Sequence, residues 1–356
     1  MSTNANRKNL FLRACRLQPV SRVPVWILRQ AGRYLPEYRA VRAKHSFLEV
    51  CKTPELAIEV SLQPYRRLDV DAVIVFSDIL IPAEGMGMAL ELTDDGPVLP
   101  NPVRDRSAAI ALREFDPEEE TRFLMDAIRG LVRALGPEIP VLGFAAAPWT
   151  LACYLVEGQT KSGFAATKQM LFAEPELMRL LLAKIARITA RYLSAQMAAG
   201  ATAVQLFDTW AGELGLDEYR DFALPATQQV LDELEGDAPL ILYTKASAHL
   251  FEALTQVGAD VLSVDWRVDL ADAQARLGGR AALQGNVDPC VLLGPEESVR
   301  AAARRAIEKT RGLGHILNLG HGILPATPVE NALAFVQTAK TTPLAAPVSL
   351  GSEAKV

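Results

Sequence analysis

The sequence PELMRLLLAKIARITARYLSAQMAAG spans residues 175–200, and the run AVQLF follows it at residues 203–207. Large apolar residues recur every three or four positions, as on one buried face of a helix: Leu177, Leu180, Leu181, Ile185, Ile188, Tyr192 and Leu193. Pro175 suits a first helical turn, and Gly200 suits a helix end. The pattern predicts a helix, a tight turn and a buried strand, which is the repeating unit of an α/β protein.

Similar apolar runs recur along the whole chain. They are Val23–Ile27, Ala72–Phe76, Val141–Ala145, Ala203–Phe207, Leu240–Tyr243, Val261–Val264, Ala281–Gln284 and His315–Leu319. Most are apolar throughout, which is typical of parallel strands covered by helices on both faces. Helix start signals lie between them, as in Thr53-Pro-Glu and Asp116-Pro-Glu-Glu.

Eight strands alternating with helices predict a single-domain (β/α)8 TIM barrel more than two doubly wound halves. Length alone would also allow two domains. We expect a flexible N-terminus over residues 1–9, the barrel over residues 10–340 and a disordered tail over residues 341–356. The Gly- and Pro-rich insert Glu84–Val103 is expected to be a long loop or a hairpin.

Composition limits the class of protein. The 356 residues include 37 Lys plus Arg and 42 Asp plus Glu, a net charge of −5, which argues against a nucleic-acid partner. Half of the residues are hydrophobic, yet no run of about 18 apolar residues predicts a membrane span. The four cysteines are scattered, and the N-terminus lacks an apolar leader. We therefore expect a cytoplasmic protein with reduced thiols and no membrane segment.

Active sites of such barrels form after the carboxyl ends of the strands, and the residues there are unusually polar. In chain order they include Arg29-Gln30, Arg33, Ser77-Asp78, Trp149-Thr150, Tyr154, Asp208-Thr209-Trp210, Thr244-Lys245, Asp265-Trp266-Arg267, Asn286 and Gly320-His321-Gly322.

Arg29 and Arg33 are spaced as neighbours on a helix, where they could simply be solvated. They follow a buried run directly, with Gly32 between them and Pro36 after them, which favours two guanidinium groups converging on a cleft to grip carboxylates. Asp78 follows five apolar residues, where a carboxylate needs donors or an ion pair. It is either a structural ion-pair partner or an anion that binds N–H groups or stabilises a cation.

His321 lies between two glycines, which allow a ligand to approach closely, although a lone histidine is often structural. The four tryptophans suit the core or an aromatic mouth for a large flat ligand. Lys245 is a candidate Schiff-base nucleophile. The sequence has no P-loop, dinucleotide fingerprint, metal-ligand spacing or Gly-x-Ser-x-Gly elbow, so we expect chemistry without a cofactor or metal.

Two long segments resemble the signature segments of the uroporphyrinogen decarboxylase family. They are PVWILRQAGRYLPEYR at residues 24–39 and GFAAAPWTLACYLVEG at residues 143–158. Shorter stretches at residues 76–80, 283–290 and 318–322 resemble the same family in the same order, so that the match runs from Arg7 to Lys340.

The resemblance implies a homodimeric TIM-barrel carboxy-lyase of haem biosynthesis that needs no cofactor. It would convert the four acetate side chains of uroporphyrinogen III to methyl groups, giving coproporphyrinogen III and CO2. Matching positions imply that Asp78 binds the pyrrole N–H groups and that Arg29 is both a carboxylate ligand and a favoured proton donor. The remaining substrate-binding positions are Gln30, Arg33, Tyr154, His321 and Thr209, the last standing where the family often has serine.

Loss of CO2 from a pyrrole acetate needs an electron sink, which protonation of the neighbouring ring carbon would supply. A fixed carboxylate such as Asp78 would stabilise the resulting cation. A guanidinium is a poor acid because its pKa exceeds about 12. The proton donor therefore stays open between Arg29, His321 and an arginine-bound water.

Three other functions deserve tests. A zinc-dependent corrinoid or thiol methyltransferase on the same barrel would need a His/Cys set near the last strands, where Asp265, Asn286, Cys290 and His321 are found. A Lys245 Schiff-base lyase is the second. A non-catalytic binding protein is the third, although so many polar groups would then need a ligand to satisfy them.

Overall fold

The computed structural model describes residues 9–93, 96–159 and 163–344. Most of the predicted flexible N-terminus and most of the predicted tail lie outside the described residues.

Seven parallel strands form one curled sheet in the order β1-β4-β5-β6-β7-β8-β9. They are β1 (Val73–Ile74), β4 (Val141–Ala146), β5 (Ala203–Asp208), β6 (Leu240–Thr244), β7 (Val261–Ser263), β8 (Ala282–Val287) and β9 (His315–Leu319). An antiparallel hairpin of β2 (Glu91–Thr93) and β3 (Gly96–Val98) lies inside the insert where a loop or hairpin was expected.

The first predicted strand is shorter than expected. Of Val23–Ile27, only Val25 forms a bridge, parallel to Leu317 of β9. Leu317 N donates to Pro24 O at 2.9 Å, and Asp71 N donates to Val25 O at 2.8 Å, just before β1. Since Pro24 has no N–H, it cannot extend the ladder. The segment nevertheless lies between β9 and β1 and completes the circle of an α/β barrel.

The helices cover the sheet. In the described residues they are α1 (Leu10–Cys15), α2 (Pro36–Arg42), α3 (Phe47–Lys52), α4 (Pro54–Leu68), α5 (Ile81–Gly85), α6 (Arg106–Ala111), α7 (Pro117–Glu120), α8 (Arg122–Leu135), α9 (Pro148–Glu157), α10 (Ala165–Ala173), α11 (Pro175–Ala198), α12 (Leu216–Glu218), α13 (Leu224–Asp232), α14 (Phe251–Leu254), α15 (Leu270–Leu277), α16 (Glu296–Thr310) and α17 (Val329–Thr341). Three further short segments are 3-10 helices: Ala211–Glu213, Ala248–Leu250 and Pro289–Leu293. A fourth, Tyr219–Ala223, is a π-helix.

Helix α11 shows how a covering helix is held to the sheet. Most of its predicted apolar stripe is buried, and Leu180 alone of that stripe is partly exposed. Gln196 exchanges two hydrogen bonds with the backbone of Phe144 in β4, at 2.8 and 2.9 Å. A Cβ on Gly143 would lie 2.5 Å from Gln196 Oε1, so glycine there permits this close packing.

Because all strands of the main sheet run parallel, their carboxyl ends meet at one edge of the barrel. That edge carries Asp208 and Thr244, which pair in register. Among the described residues no helix is long and apolar enough to cross a membrane.

Candidate active site

The loop after the first segment carries Arg29 in a left-handed conformation, with φ of 59°. Its neighbour Leu28 is fixed by two hydrogen bonds: its N donates to Asn318 Oδ1 at 2.8 Å, and its carbonyl accepts from Ile323 N at 2.9 Å. A Cβ on Gly322 would lie only 2.3 Å from Arg29 Cδ. The arginine side chain therefore lies across Gly322, beside the segment that carries His321.

Arg29 and Arg33 lie in an irregular loop, and helix α2 begins only at Pro36. The helical spacing considered for the two arginines is therefore wrong, although their solvent exposure agrees with that alternative. Both side chains are exposed, and within the described residues neither has a carboxylate within ion-pair distance. Two exposed guanidinium groups without an ion-pair partner in the described residues are free to bind carboxylates of a ligand, and Arg29 is the one whose charge acts on both Asp78 and His321.

Gln30 is fully buried between these arginines. Its Nε2 donates to Ala72 O at 3.2 Å, and its Oε1 accepts from Ile27 N at 3.3 Å. Tyr34 Oη donates to Gln30 O at 2.8 Å. The structure thus places the Gln30 amide inside the protein, where it fixes the arginine loop to the strand region.

Asp78 follows β1, and its side chain is partly exposed. Oδ1 accepts from Leu80 N at 2.8 Å, and no cation of the described residues lies within ion-pair distance. The alternative of a structural ion pair is not observed. Burial raises the pKa of Asp78, opposed first by the Leu80 hydrogen bond and then by the positive charge of Arg29. Because the carboxylate accepts only the Leu80 hydrogen bond in the described residues, its other acceptor positions are open to a ligand.

Tyr154, on α9, lies close enough to Asp78 to interact with its charge. Burial, and secondly the charge of Asp78, raises the pKa of Tyr154 to about 12, so its hydroxyl stays protonated as a donor. Its ring lies 6.2 Å from that of Trp210, whose ring also packs 4.8 Å from Phe164.

A relay of hydrogen bonds fixes the turn after β5. Thr150 Oγ1 donates to Asp208 Oδ1 at 2.8 Å and accepts from Trp210 N at 3.1 Å. Trp149 Nε1 donates to Trp210 O at 3.0 Å. Burial raises the pKa of Asp208 to about 7, with the Thr150 hydrogen bond opposing it. Thr209, partly exposed and without a side-chain hydrogen bond in the described residues, is held between these two anchors.

His321 follows β9, and its Nδ1 accepts from Gly322 N at 2.7 Å. The ring proton therefore belongs on Nε2. Burial, followed by the positive charges of Arg29 and Lys245, lowers the pKa of His321 to about 4. At neutral pH His321 is an uncharged Nε2–H donor beside two cations.

Four rings form a continuous aromatic wall along this edge. The centroid distances are 5.6 Å for Phe144–Phe207, 5.6 Å for Phe207–Tyr243 and 6.1 Å for Tyr243–His321. The sequence interpretation missed Phe144, Phe207 and Tyr243, because they lie inside apolar strands. The sequence did offer one signal: each of these large rings lies within two residues of the carboxyl end of its strand, where the active sites of barrels form.

The tryptophans divide between core and mouth. Trp26 and Trp149 are fully buried, and Trp26 Nε1 donates to Gln284 Oε1 at 2.8 Å. Trp210 and Trp266 are partly exposed, with Lys245 Nζ 5.3 Å from the Trp210 ring and Arg267 Cζ 4.5 Å from the Trp266 ring.

Of the residues considered as metal ligands, Asp265 and Asn286 already have hydrogen-bond partners. Asp265 accepts from Ala246 N and from Arg267 Nη1, each at 2.6 Å. Asn286 donates to the carbonyls of Asp265 and Val268. Cys290 is exposed, and the charge of Asp288 raises the pKa of its thiol. No group of three or more His, Cys, Asp or Glu side chains in the described part of the chain is arranged to hold a metal ion.

The family model for uroporphyrinogen decarboxylase matches residues 6–342. The chain belongs to the uroporphyrinogen decarboxylase family. It is 49% identical over 346 residues to the uroporphyrinogen decarboxylase of Gloeobacter violaceus, covering 96% of this chain and 99% of that one. It is 46% identical over 331 residues to that of Geobacter metallireducens, covering 92% and 97%.

Solved structures of other proteins share the fold of this member of the uroporphyrinogen decarboxylase family. A methyltransferase from Methanosarcina mazei superposes with a TM-score of 0.79 at 23% identity, covering 94% of this chain and 98% of that one. A B12-independent methionine synthase from Shewanella superposes with a TM-score of 0.54 at 14% identity, covering 81% and 87%. At these identities the likeness concerns the barrel alone.

Proposed function

We propose that the protein is a carboxy-lyase that decarboxylates the four acetate side chains of uroporphyrinogen III, giving coproporphyrinogen III and CO2. The observation that carries the proposal is the charge arrangement at the barrel mouth of a chain in this family. The carboxylate of Asp78 and the guanidinium of Arg29, neither with an ion-pair partner in the described residues, interact electrostatically, and Arg29 also acts on His321 at the end of the aromatic wall. The substrate has the complementary pattern, with N–H groups at its centre and carboxylates at its rim.

Asp78 accepts the central pyrrole N–H groups with the acceptor positions that Leu80 leaves free. Arg29 and Arg33 bind rim carboxylates, and Tyr154, Thr209 and His321 donate hydrogen bonds at the edge. Gln30 contributes by holding the arginine loop in place.

In the reaction, a pyrrole ring carbon next to the acetate-bearing carbon takes a proton and the ring becomes cationic. The bond between the acetate methylene and its carboxylate then breaks, and its electron pair forms an exocyclic double bond that neutralises the ring as CO2 leaves. The methylene carbon takes a proton, and the ring carbon loses its own. The net change exchanges one carboxylate and one proton for CO2 and a methyl group.

The electron sink is the substrate's own pyrrole, so the proposal requires no cofactor or metal. Asp78 lowers the barrier because a fixed carboxylate in a poorly hydrated site stabilises the cationic ring without reorganising. Arg29, whose charge acts on Asp78, delivers the proton directly or through a bound water. His321 serves as a neutral donor, since its Nδ1 already accepts from Gly322.

The test is anaerobic incubation of the purified protein with uroporphyrinogen, followed by chromatographic separation of the oxidised products. We expect hepta- to tetracarboxylate porphyrins to accumulate, with the same rate after dialysis against a metal chelator. Unchanged octacarboxylate would contradict the proposal. The methyltransferase alternative is not favoured, because the relatives at 46–49% identity are uroporphyrinogen decarboxylases.

Membership of the family also supports a cytoplasmic homodimer, which stays part of the proposal. Sedimentation at two protein concentrations measures the oligomeric state. A species of one chain mass at both concentrations would contradict the dimer.

A further inference from the structure

Lys245 is a cation at the barrel mouth that the proposed chemistry does not use. It directly follows β6 and is partly exposed. Within the described residues it has no carboxylate at ion-pair distance, whereas Arg267, after the neighbouring β7, is paired with Asp265 at 2.6 Å. The Lys245 ammonium instead lies 5.3 Å from the centroid of the Trp210 ring.

The backbone at Lys245 is fixed from two sides. Ala246 has a left-handed conformation, with φ of 53°, and its N donates to Asp265 Oδ2 at 2.6 Å. A Cβ on Gly212 would lie 2.5 Å from the carbonyl oxygens of both Lys245 and Ala246, so the turn after β5 packs directly against this backbone. The backbone from which the Lys245 side chain extends is therefore held in a defined position at the end of β6.

Lys245 belongs to the same mouth as the arginine loop. The positive charges of Arg29 and Lys245 both act on His321. The Trp210 ring, which lies beside the Lys245 ammonium, also packs against Tyr154, and Tyr154 interacts with the charge of Asp78. A flat ligand bound to Asp78 and Arg29 would thus have Lys245 near its rim.

We propose that Lys245 and the Trp210 ring form a carboxylate subsite that holds a propionate of the porphyrinogen during each decarboxylation. This inference rests on the proposed function. The acetates disappear one by one, whereas the four propionates are present in the substrate, in every intermediate and in the product. A fixed cation that acts in all four steps must bind a group that persists through all of them.

The residue type fits this task. A lysine ammonium is a point charge with rotatable donors, so it accepts a flexible propionate in several orientations. The Trp210 ring attracts the Lys245 ammonium, which lies 5.3 Å from its centroid, and so favours one region of space for this charge. The bidentate geometry of the arginines suits a carboxylate that must be held in one orientation.

The test compares Lys245→Met and Lys245→Arg with the wild type in two measurements. One is the steady-state rate with uroporphyrinogen. The other is binding of coproporphyrinogen, which retains only propionates, followed anaerobically by tryptophan fluorescence. Lys309→Met is the matched control, because Lys309 pairs with Asp269 on the surface.

We expect Lys245→Met to weaken product binding and to raise KM by about 10- to 100-fold, the range for a lost charged hydrogen bond, with a smaller change in kcat. Lys245→Arg should recover most of the affinity. Unchanged product affinity in a folded Lys245→Met protein would overturn the subsite, as would a borohydride-trapped adduct at Lys245. If the wild type does not decarboxylate uroporphyrinogen, the proposed function itself fails, which separates the two cases.

Discussion

At the scale of single residues, the mouth of this barrel depends on positions where a side chain is missing as much as on those that carry charge. Gly322 lets the Arg29 side chain pass at a distance that any Cβ would block. The same glycine donates its N–H to His321 and thereby fixes the imidazole tautomer. One backbone position therefore sets the geometry of two proposed substrate ligands.

Gly322→Ala is expected to displace the Arg29 guanidinium while leaving the fold intact, because the blocking atoms belong to a flexible side chain. Misplacement by about 1 Å can cost about 100-fold in rate, so we expect kcat/KM to fall by roughly that factor with little change in melting temperature. Gly294→Ala, whose Cβ would meet only Val291 O at 3.3 Å, is the control. Wild-type kcat/KM in Gly322→Ala would refute the positioning role.

His321→Asn tests which group donates the proton. Because the pKa of His321 is lowered to about 4, the imidazole is neutral throughout the range from about pH 5 to 8. We expect the variant to reduce kcat/KM and to leave the shape of the pH–rate profile in that range unchanged. A wild-type limb in that range that disappears in the variant would instead make His321 the acid.

At the scale of elements, seven of the eight predicted strands are confirmed, because continuous apolar runs bounded by helix signals leave little ambiguity. The first run forms only one bridge, since Pro24, its second residue, has no N–H to donate. For the insert, where a long loop or a hairpin was expected, β2 and β3 show the hairpin.

The candidate site was harder to predict from the sequence than the fold. Strand ends located the charged groups, because parallel strands bring their carboxyl ends together. Periodicity could not show that Gln30 turns inward, since its amide is satisfied by Ala72 and Ile27, which are close only in the folded chain. The aromatic wall could not be predicted either, because it also depends on contacts between distant parts of the chain. Phe207 and Tyr243 are apolar strand residues in the sequence, and only the strand register places them side by side.

The turn after β5 offers a test of stability. Burial raises the pKa of Asp208 from 3.8 to about 7, so the folded state keeps a proton that the unfolded chain loses above about pH 4. The wild type therefore loses stability as the pH rises from about 4 to 7. Asp208→Asn keeps an acceptor for Thr150 without the buried charge.

We expect Asp208→Asn to be more stable than the wild type at about pH 8, by on the order of 3 kcal/mol, with the difference vanishing near about pH 4. Urea unfolding at several pH values measures it. The exposed Asp221→Asn, with no ion pair in the described residues, is the control. A difference independent of pH would show that folding does not raise the pKa of Asp208.

At the scale of the whole molecule, the net charge of −5 coexists with a mouth that presents unpaired cations. Many other basic residues are neutralised locally, as Arg22 is by Asp71 at 2.6 Å. The net charge of the whole chain therefore does not argue against a small polyanionic ligand, because the cations at the mouth act locally. The length of 356 residues is accounted for by one large barrel with an inserted hairpin rather than by two domains.

The most direct test of the account is the rate of CO2 release from uroporphyrinogen under anaerobic conditions by the wild type and by Asp78→Asn. Asparagine keeps the shape and one acceptor but cannot stabilise a cationic pyrrole. We predict four equivalents of CO2 per macrocycle from the wild type and a kcat about 100- to 1000-fold lower in the folded variant. An Asp78→Asn enzyme that releases CO2 at the wild-type rate would contradict the central role of this carboxylate.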